Sequence, residues 1–228
     1  TATEASATVT EANTWQTLTF DFSEADANQN WKRAIVFMDL NTAGKGLDYY
    51  FDDLSYVSDQ PMTAPKLPLT FDSALVDYSW SGFGRANATV IANPDASGMN
   101  TSTNVTELVK EEGAETWAGV SQRLDGAIDF SQGTTISMKT WAPKTGATIL
   151  LKLENSKSDS DANGNPSVIA EVQQSTTVAN AWEELNFDFT SFGAFDPNAG
   201  YDTVVVFYDF GNTAGGKFYF DNIQIKND

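Results

Sequence analysis

Trp117, Arg123, Lys139, Trp141, Lys152 and Glu154 lie on segments that alternate like β-strands, each opposite the apolar side of its own segment. In 117–124, Ala118, Val120 and Leu124 share one face while Trp117 and Arg123 lie on the other. In 136–141, Ile136 and Met138 oppose Lys139 and Trp141. In 149–154, Ile149, Leu151 and Leu153 oppose Lys152 and Glu154. A large indole on a polar strand face is a platform for an apolar surface, and charged groups beside it can bond hydroxyls. Such a set suits a sugar, whose ring has a C–H face and a hydroxyl rim. Packing at a sandwich edge is the competing role for both tryptophans.

Trp80 stands in Tyr78-Ser-Trp-Ser-Gly-Phe-Gly84, where the glycines suggest a loop that carries aromatics to a rim; core packing is its alternative. Trp31 and Tyr201 occupy loops between repeated segments and are weaker candidates for ligand contact.

Several chemistries are excluded. The chain has no histidine and no cysteine, so a Ser-His-Asp triad, a His-bound zinc site and disulfides are impossible. Glycoside hydrolysis needs two carboxylates roughly 5–10 Å apart. Glu154 and Asp209 can be nominated, but Asp209 recurs as Asp39 and reads as structural. Asp159-Ser-Asp161-Ala-Asn163-Gly164 has Ala170 at the twelfth position, where a calcium loop has a bidentate Glu, so it reads as a flexible polar loop.

The elements that position these residues read as β throughout, because short alternating runs are separated by Gly, Asn and Asp turns. Residues 104–112 suit a short helix or a strand equally. The chain also repeats itself. Asn13-Thr-Trp-Gln-Thr-Leu-Thr-Phe-Asp-Phe22 returns as Asn180-Ala-Trp-Glu-Glu-Leu-Asn-Phe-Asp-Phe189, Phe37-Met-Asp39 as Phe207-Tyr-Asp209, Asn41-Thr-Ala-Gly44 as Asn212-Thr-Ala-Gly215, and Tyr50-Phe-Asp-Asp-Leu54 as Tyr219-Phe-Asp-Asn-Ile223. Trp15 and Trp182 are equivalent in this repeat, which favours a structural role for both. The reading is a partial module over 1–59, with strands at 4–12, 15–22, 33–40 and 47–57. A Pro-rich linker follows over 60–68, and a complete antiparallel β-sandwich over 69–228.

The chain has 228 residues and 13 Lys and Arg against 31 Asp and Glu, a net charge of −18. A surface so acidic argues against nucleic acid, anionic membranes and strongly anionic polysaccharides. No apolar run reaches the ~18 residues of a membrane span. The start at Thr1 reads as an internal cut, so a missing leader peptide carries no weight.

Leu69-Thr-Phe-Asp72, Trp117-Ala-Gly-Val120, Lys152-Leu-Glu154, Trp182-Glu-Glu-Leu-Asn-Phe-Asp-Phe189 and Phe218-Tyr-Phe-Asp-Asn-Ile223 together resemble the β-jelly-roll carbohydrate-binding modules of marine Bacteroidetes. These occur in surface glycan-binding proteins and on secreted glycoside hydrolases. Their broader relatives are the galactose-binding-like modules of families four, sixteen and twenty-two. The resemblance spans 69–225, and its C-terminal half also covers 4–57. It implies an all-β jelly roll and non-catalytic binding of a neutral polysaccharide. A β-1,3-glucan such as laminarin is the first choice. The setting would be extracellular, at the cell surface or on a secreted enzyme, with no insertion into a membrane. It also implies a structural calcium held by Asp72 and Asp221, with the turn ending at Asn100 supplying carbonyls or an amide oxygen. Asp52 repeats Asp221, but its site should be incomplete. A sandwich-fold glycosidase or lyase, and a spacer module without a glycan ligand, are the alternatives. Uncovered strand edges in 1–57 are expected to pack on the complete module or on a second copy.

Overall fold

The computed structural model describes residues 2–22, 25, 32–55 and 62–227. The chain divides into two compact units, Thr1–Asp59 and Gln60–Asp228.

Among its described residues the second unit holds ten strands: β1 Ser81–Phe83, β2 Ala86–Ala92, β3 Asn104–Lys110, β4 Gly119–Arg123, β5 Thr135–Trp141, β6 Thr148–Glu154, β7 Ile169–Ser175, β8 Trp182–Asp188, β9 Thr203–Tyr208 and β10 Gly216–Lys226. They form two five-stranded antiparallel sheets, ordered β1-β4-β9-β6-β7 and β2-β3-β10-β5-β8. Alternation along each strand sends one set of side chains between the sheets. Val120, Ile149, Leu151, Leu153, Val204 and Val206 from the first sheet meet Leu108, Ile136, Met138, Phe187, Phe218 and Phe220 from the second. Residues 104–110, ambiguous in the sequence, form β3. Its β-branched and apolar side chains lie between β2 and β10, where tertiary pairing outweighs local propensity. Gly84 and Arg85 both take positive φ, 63° and 71°, in the turn that carries the chain from β1 in one sheet to β2 in the other.

The described part of the expected linker belongs to this sandwich. The Thr63 N–H bonds the Leu75 carbonyl at 2.9 Å, the Asp77 N–H bonds the Thr63 carbonyl at 2.9 Å, and the Asp125 N–H bonds the Pro65 carbonyl at 2.8 Å. Leu67 packs on the core. Prolines set the path here but do not make the segment a spacer, because its backbone acceptors are used.

The first unit departs further from expectation. Among its described residues, none of the strands expected over 4–12, 15–22, 33–40 and 47–57 forms, and the last is described only to residue 55. Trp15, Phe20, Phe22, Phe37 and Phe51 are exposed. A strand exists through the hydrogen bonds of a neighbour, so alternation alone cannot make one.

Candidate functional site

The outer face of the sheet β1-β4-β9-β6-β7 collects the side chains left over from the core. Registers put Phe83 opposite Gly119, and Ser121 opposite both Ser81 and Val205. Val205 in turn lies opposite Lys152, and Lys152 opposite Glu171. One end of this face is aromatic. Trp117, 51% exposed, stacks on Phe83 with centroids 6.2 Å apart and planes 19° from parallel. Phe83 meets Phe207 edge-on at 5.6 Å, and Phe207 meets Phe210 at 5.5 Å. Phe207 is buried with Leu150 and Val205 in a second small apolar cluster outside the main core, and Phe83 and Phe210 pack against it.

Two glycines shape the aromatic end. A Cβ on Gly119 would lie 2.8 Å from Phe207 Cδ1 and 2.8 Å from the Val206 carbonyl, so only glycine lets the Phe207 ring lie across β4. A Cβ on Gly84 would lie 2.9 Å from the Ala118 Cα and 3.2 Å from Trp117 Cζ3, which fixes the indole against the β1–β2 turn.

The other end is polar. The Lys152 ammonium sits 3.0 Å from Glu154 and 3.6 Å from Glu171, and it is largely buried. The loop between β6 and β7 flanks it. Asp161 in that loop accepts the N–H groups of Asn163 and Asn165 at 2.8 and 2.9 Å. The backbone N–H of Asn165, then that of Asn163, hold the Asp161 carboxyl below the usual carboxylate range, with a smaller pull from Lys152. The sequence reads this segment as a flexible polar loop, and the structure closes a turn within it through Asp161.

Arg123 closes the same end, since Arg123 and Glu154 both pair with Thr203. Its guanidinium lies 3.8 Å from Asp202. Burial pushes the Asp202 carboxyl up, but the backbone N–H and hydroxyl of Ser156, then Thr203 and Arg123, outweigh it and hold the group below its ordinary value. A cleft of about 430 Å³ opens beside Arg123, lined by Pro65, Gln122, Asp125, Lys157 and Asp202 among others.

Of the seven nominated binding residues, the structure therefore brings four onto one face: Trp117, Arg123, Lys152 and Glu154. Lys139 and Trp141 are on β5, in the other sheet, and face outward from the opposite side of the sandwich. Trp141 there lies between Trp182 and Tyr219 in the ladder and meets the Tyr219 ring at 5.2 Å. Trp80 packs inward, against Phe220 at 5.2 Å and Phe71 at 6.3 Å. Tyr201 is buried, and Trp31 lies outside the described residues. Trp182 is structural, its indole N–H bonding the Asp95 carbonyl at 2.8 Å. Sequence reasoning missed Phe83, Phe207 and Glu171, although Phe207 and Glu171 alternate with core residues as the others do.

Glu154 and Asp209 do not form a hydrolytic pair. Glu154 pairs with Thr203, and Asp209 lies six residues beyond Thr203 just after the end of β9, which separates them by roughly 20 Å at strand spacing. Asp209 is buried, ion-paired to Lys144 at 2.6 Å.

Of the nominated metal ligands, Asp221 lies on β10 of the other sheet, Asn100 in the loop between β2 and β3, and Asp72 ahead of β1. Asp221 and Asn100 are fully buried, and Asp221 Oδ2 has no hydrogen-bond partner while its Oδ1 accepts the Asn222 N–H at 2.7 Å. Burial pushes the Asp221 carboxyl up. Asp72 accepts the Asn104 N–H at 3.0 Å, and the Asn100 amide oxygen accepts the Ser102 N–H at 3.3 Å. A buried carboxylate near the side-chain oxygens of Ser102 and Asn100 offers hard-oxygen donors, the kind calcium takes. Among the described residues, no three acidic side chains cluster as a metal cage.

No protein-family model and no curated relative matches this chain. Solved structures do. A non-crystalline cellulose specific carbohydrate-binding module, CBM28, has a TM-score of 0.51 at 12% identity, covering 74% of this chain and 98% of that one. An exo-β-agarase has a TM-score of 0.51 at 10% identity over 70% of this chain, which spans a quarter of the agarase's length. A family 11 carbohydrate-binding module from Clostridium thermocellum, in complex with a β-1,3-1,4-mixed-linked tetrasaccharide, has a TM-score of 0.49 at 17% identity, covering 70% and 95%. At these identities the likeness is one of fold: the two-sheet antiparallel sandwich of this chain is similar to that of the CBM28 module.

Proposed function

We propose that the second unit is a non-catalytic module that binds a neutral polysaccharide along the outer face of β1-β4-β9-β6-β7. The observation that carries this reading is the placement of exposed Trp117, backed by Phe83 and Phe207, on the same face as Arg123, Lys152, Glu154 and Glu171. The indole covers the C–H face of a sugar ring, and the charged groups bond hydroxyls farther along the chain. Gly119 to Arg123 spans about 13 Å, room for more than one ring. The glucan preference, laminarin first, rests on the sequence resemblance alone. An extracellular setting, at a cell surface or on a secreted enzyme, rests on the same ground.

Calcium belongs to this reading as a structural ion. Asp221, Asp72 and the carbonyls of the 97–102 turn would hold it. Bound there, it supplies charge that a buried carboxylate otherwise lacks. Its role is to fix the 93–103 loop over the second sheet, away from the glycan face.

The test is titration of the chain with laminarin, mixed-linkage glucan, xylan, mannan and alginate, read by tryptophan fluorescence and affinity gels. Saturable binding to one neutral glycan, lost in Trp117→Ala, is the expected result. No binding to any of them would overturn it in favour of a spacer module.

A further inference from the structure

The sheet β1-β4-β9-β6-β7 is uneven along its β1 side. β1 pairs with β4 only at Gly119, Val120 and Ser121, whereas β9 follows β4 as far as Arg123. Past Ser121, residues 63–65 take the place that a longer β1 would fill. The bonds of Thr63 with Leu75 and Asp77 pin this segment, and the Asp125 N–H bonds the Pro65 carbonyl at 2.8 Å. The cleft of about 430 Å³ beside Arg123 lies between this segment and the end of β4. Its far wall is tied down as well: the Leu124 N–H bonds the Asp202 carbonyl at 2.8 Å, and the Asp202 N–H bonds the Glu154 carbonyl at 2.9 Å. A hollow with walls bonded in this way is formed before any ligand arrives.

The lining is mixed, and its charges are largely matched. Arg123 lies 3.8 Å from Asp202, and Asp125 lies 3.1 Å from Lys66. Pro65 and Leu124 add buried carbon. Gln122 alternates inward with Val120 and is only 6% exposed. Its Nε2 donates to the Arg123 carbonyl at 3.0 Å, while its buried Oε1 accepts no hydrogen bond among the described residues. A buried amide oxygen without a donor is unfavourable, and a hydroxyl is a donor of the right kind. Matched charges and an unmet neutral acceptor favour a neutral, hydroxyl-rich group over an ion. The cleft's volume also falls in the range of small-ligand sites, roughly 300–1,000 Å³.

We propose, taking the outer face of this sheet as the glycan site, that the cleft receives the terminal sugar residue and that the module binds chain ends rather than chain interiors. A chain that lies on Trp117 and follows β4 passes Ser121 and arrives at Arg123, which stands on the face and also lines the cleft. There the bond from Asp125 to Pro65 joins the two walls across its path. The chain enters the cleft and cannot continue, so only its last residue fits. A strip open at both ends takes any stretch of a polymer; a strip closed at one end takes one site per chain end.

The experiment counts sites against ends. Calorimetric titration gives the protein bound per gram of laminarin, mixed-linkage glucan, xylan and mannan, each intact and after partial hydrolysis, with chain ends counted by a reducing-sugar assay. The amount bound per gram is expected to rise in proportion to the number of ends. Ala64 is exposed at the rim of the cleft, and Ala64→Trp, which fills the cleft, is expected to weaken binding by about tenfold or more. A thermal melt reports whether this variant folds. Should it not, Lys157→Ala, at an exposed lining residue, makes the same comparison. A capacity per gram unchanged by hydrolysis would overturn the inference, and the face itself would stand if Trp117→Ala still weakened binding. Capacity that follows the ends but ignores the cleft variants would overturn it too, by placing the end elsewhere. Binding to none of the four glycans, or binding indifferent to Trp117→Ala, would overturn the glycan face and the chain-end site together.

Discussion

The ring of Phe207 lies directly over the Cα of Gly119, where any added Cβ would meet Phe207 Cδ1 and the Val206 carbonyl at 2.8 Å each. One contact can yield by rotating the ring, but the backbone carbonyl cannot move without disturbing β9. Gly119→Ala should therefore cost about 1–3 kcal/mol in unfolding free energy, the usual range for overpacking. It should also weaken glycan binding, because the displaced ring no longer backs Phe83 and Trp117. Denaturant melts and a titration on the same variant check both effects. Unchanged stability would mean that the ring does not occupy that site.

Trp117→Ala should weaken glycan binding by on the order of tenfold or more, as expected for a central aromatic anchor, with little change in melting temperature. Trp141→Ala should leave binding unchanged, because β5 lies in the opposite sheet. Trp80→Ala should act on stability instead, costing about 3–5 kcal/mol for a large aromatic removed from against the core. Calorimetric titration and thermal melts of the three variants separate the roles. Loss of binding in Trp141→Ala with Trp117→Ala intact would move the site to the other face.

Chelation should lower the melting temperature and added calcium should restore it, with magnesium ineffective because it demands a tighter octahedral shell. Asp221→Asn should abolish this response. Without the ion its effect on stability should be smaller, since the amide removes the cost of holding a carboxylate at a fully buried position. Melts in chelator and in calcium, for both chains, make the comparison. A calcium response that survives in Asp221→Asn would remove Asp221 from the ligand set.

Asp202 makes part of the stability depend on acid. Its folded-state carboxyl is held below the ordinary value near 3.8, so the folded chain binds fewer protons there than the unfolded chain. The stabilisation is present above the unfolded value and is lost as pH falls through the folded one. Ser156→Ala removes a 2.8 Å hydroxyl bond to this carboxylate, worth about 1.5–3 kcal/mol for a charged acceptor. The variant should lose stability at neutral pH and lose less on acidification. Chemical denaturation at pH 7 and pH 3 checks the difference, and equal losses at both would exclude the linkage.

The strands of the second unit were legible because each has its own alternation and its own turns; β4, β5, β6 and β8 fall within two residues of the segments read from sequence. The half-sites were legible too, since period two tells which side chains leave the core. The metal candidates Asp72, Asn100 and Asp221 entered through resemblance, and their calcium remains a proposal; the structure shows Asn100 and Asp221 fully buried. The first unit shows the limit from the other direction. Its sequence repeats the strands of the second and reproduces their turns, because turns close over a few residues, but ladders need partners from elsewhere.

By itself, then, the sequence determined an all-β sandwich, its internal repeat and the polar side of β4, β5 and β6. Only the tertiary structure decided which sheet each strand joins. That choice put Trp117 with Phe83, Phe207, Lys152 and Glu154, sent Trp141 and Lys139 to the opposite face and turned Trp80 inward. Alternation is a local property of one strand, fixed by backbone geometry. Sheet membership depends on hydrogen bonds and packing between distant segments, as where Phe220 pairs with Thr106, and no local period encodes it.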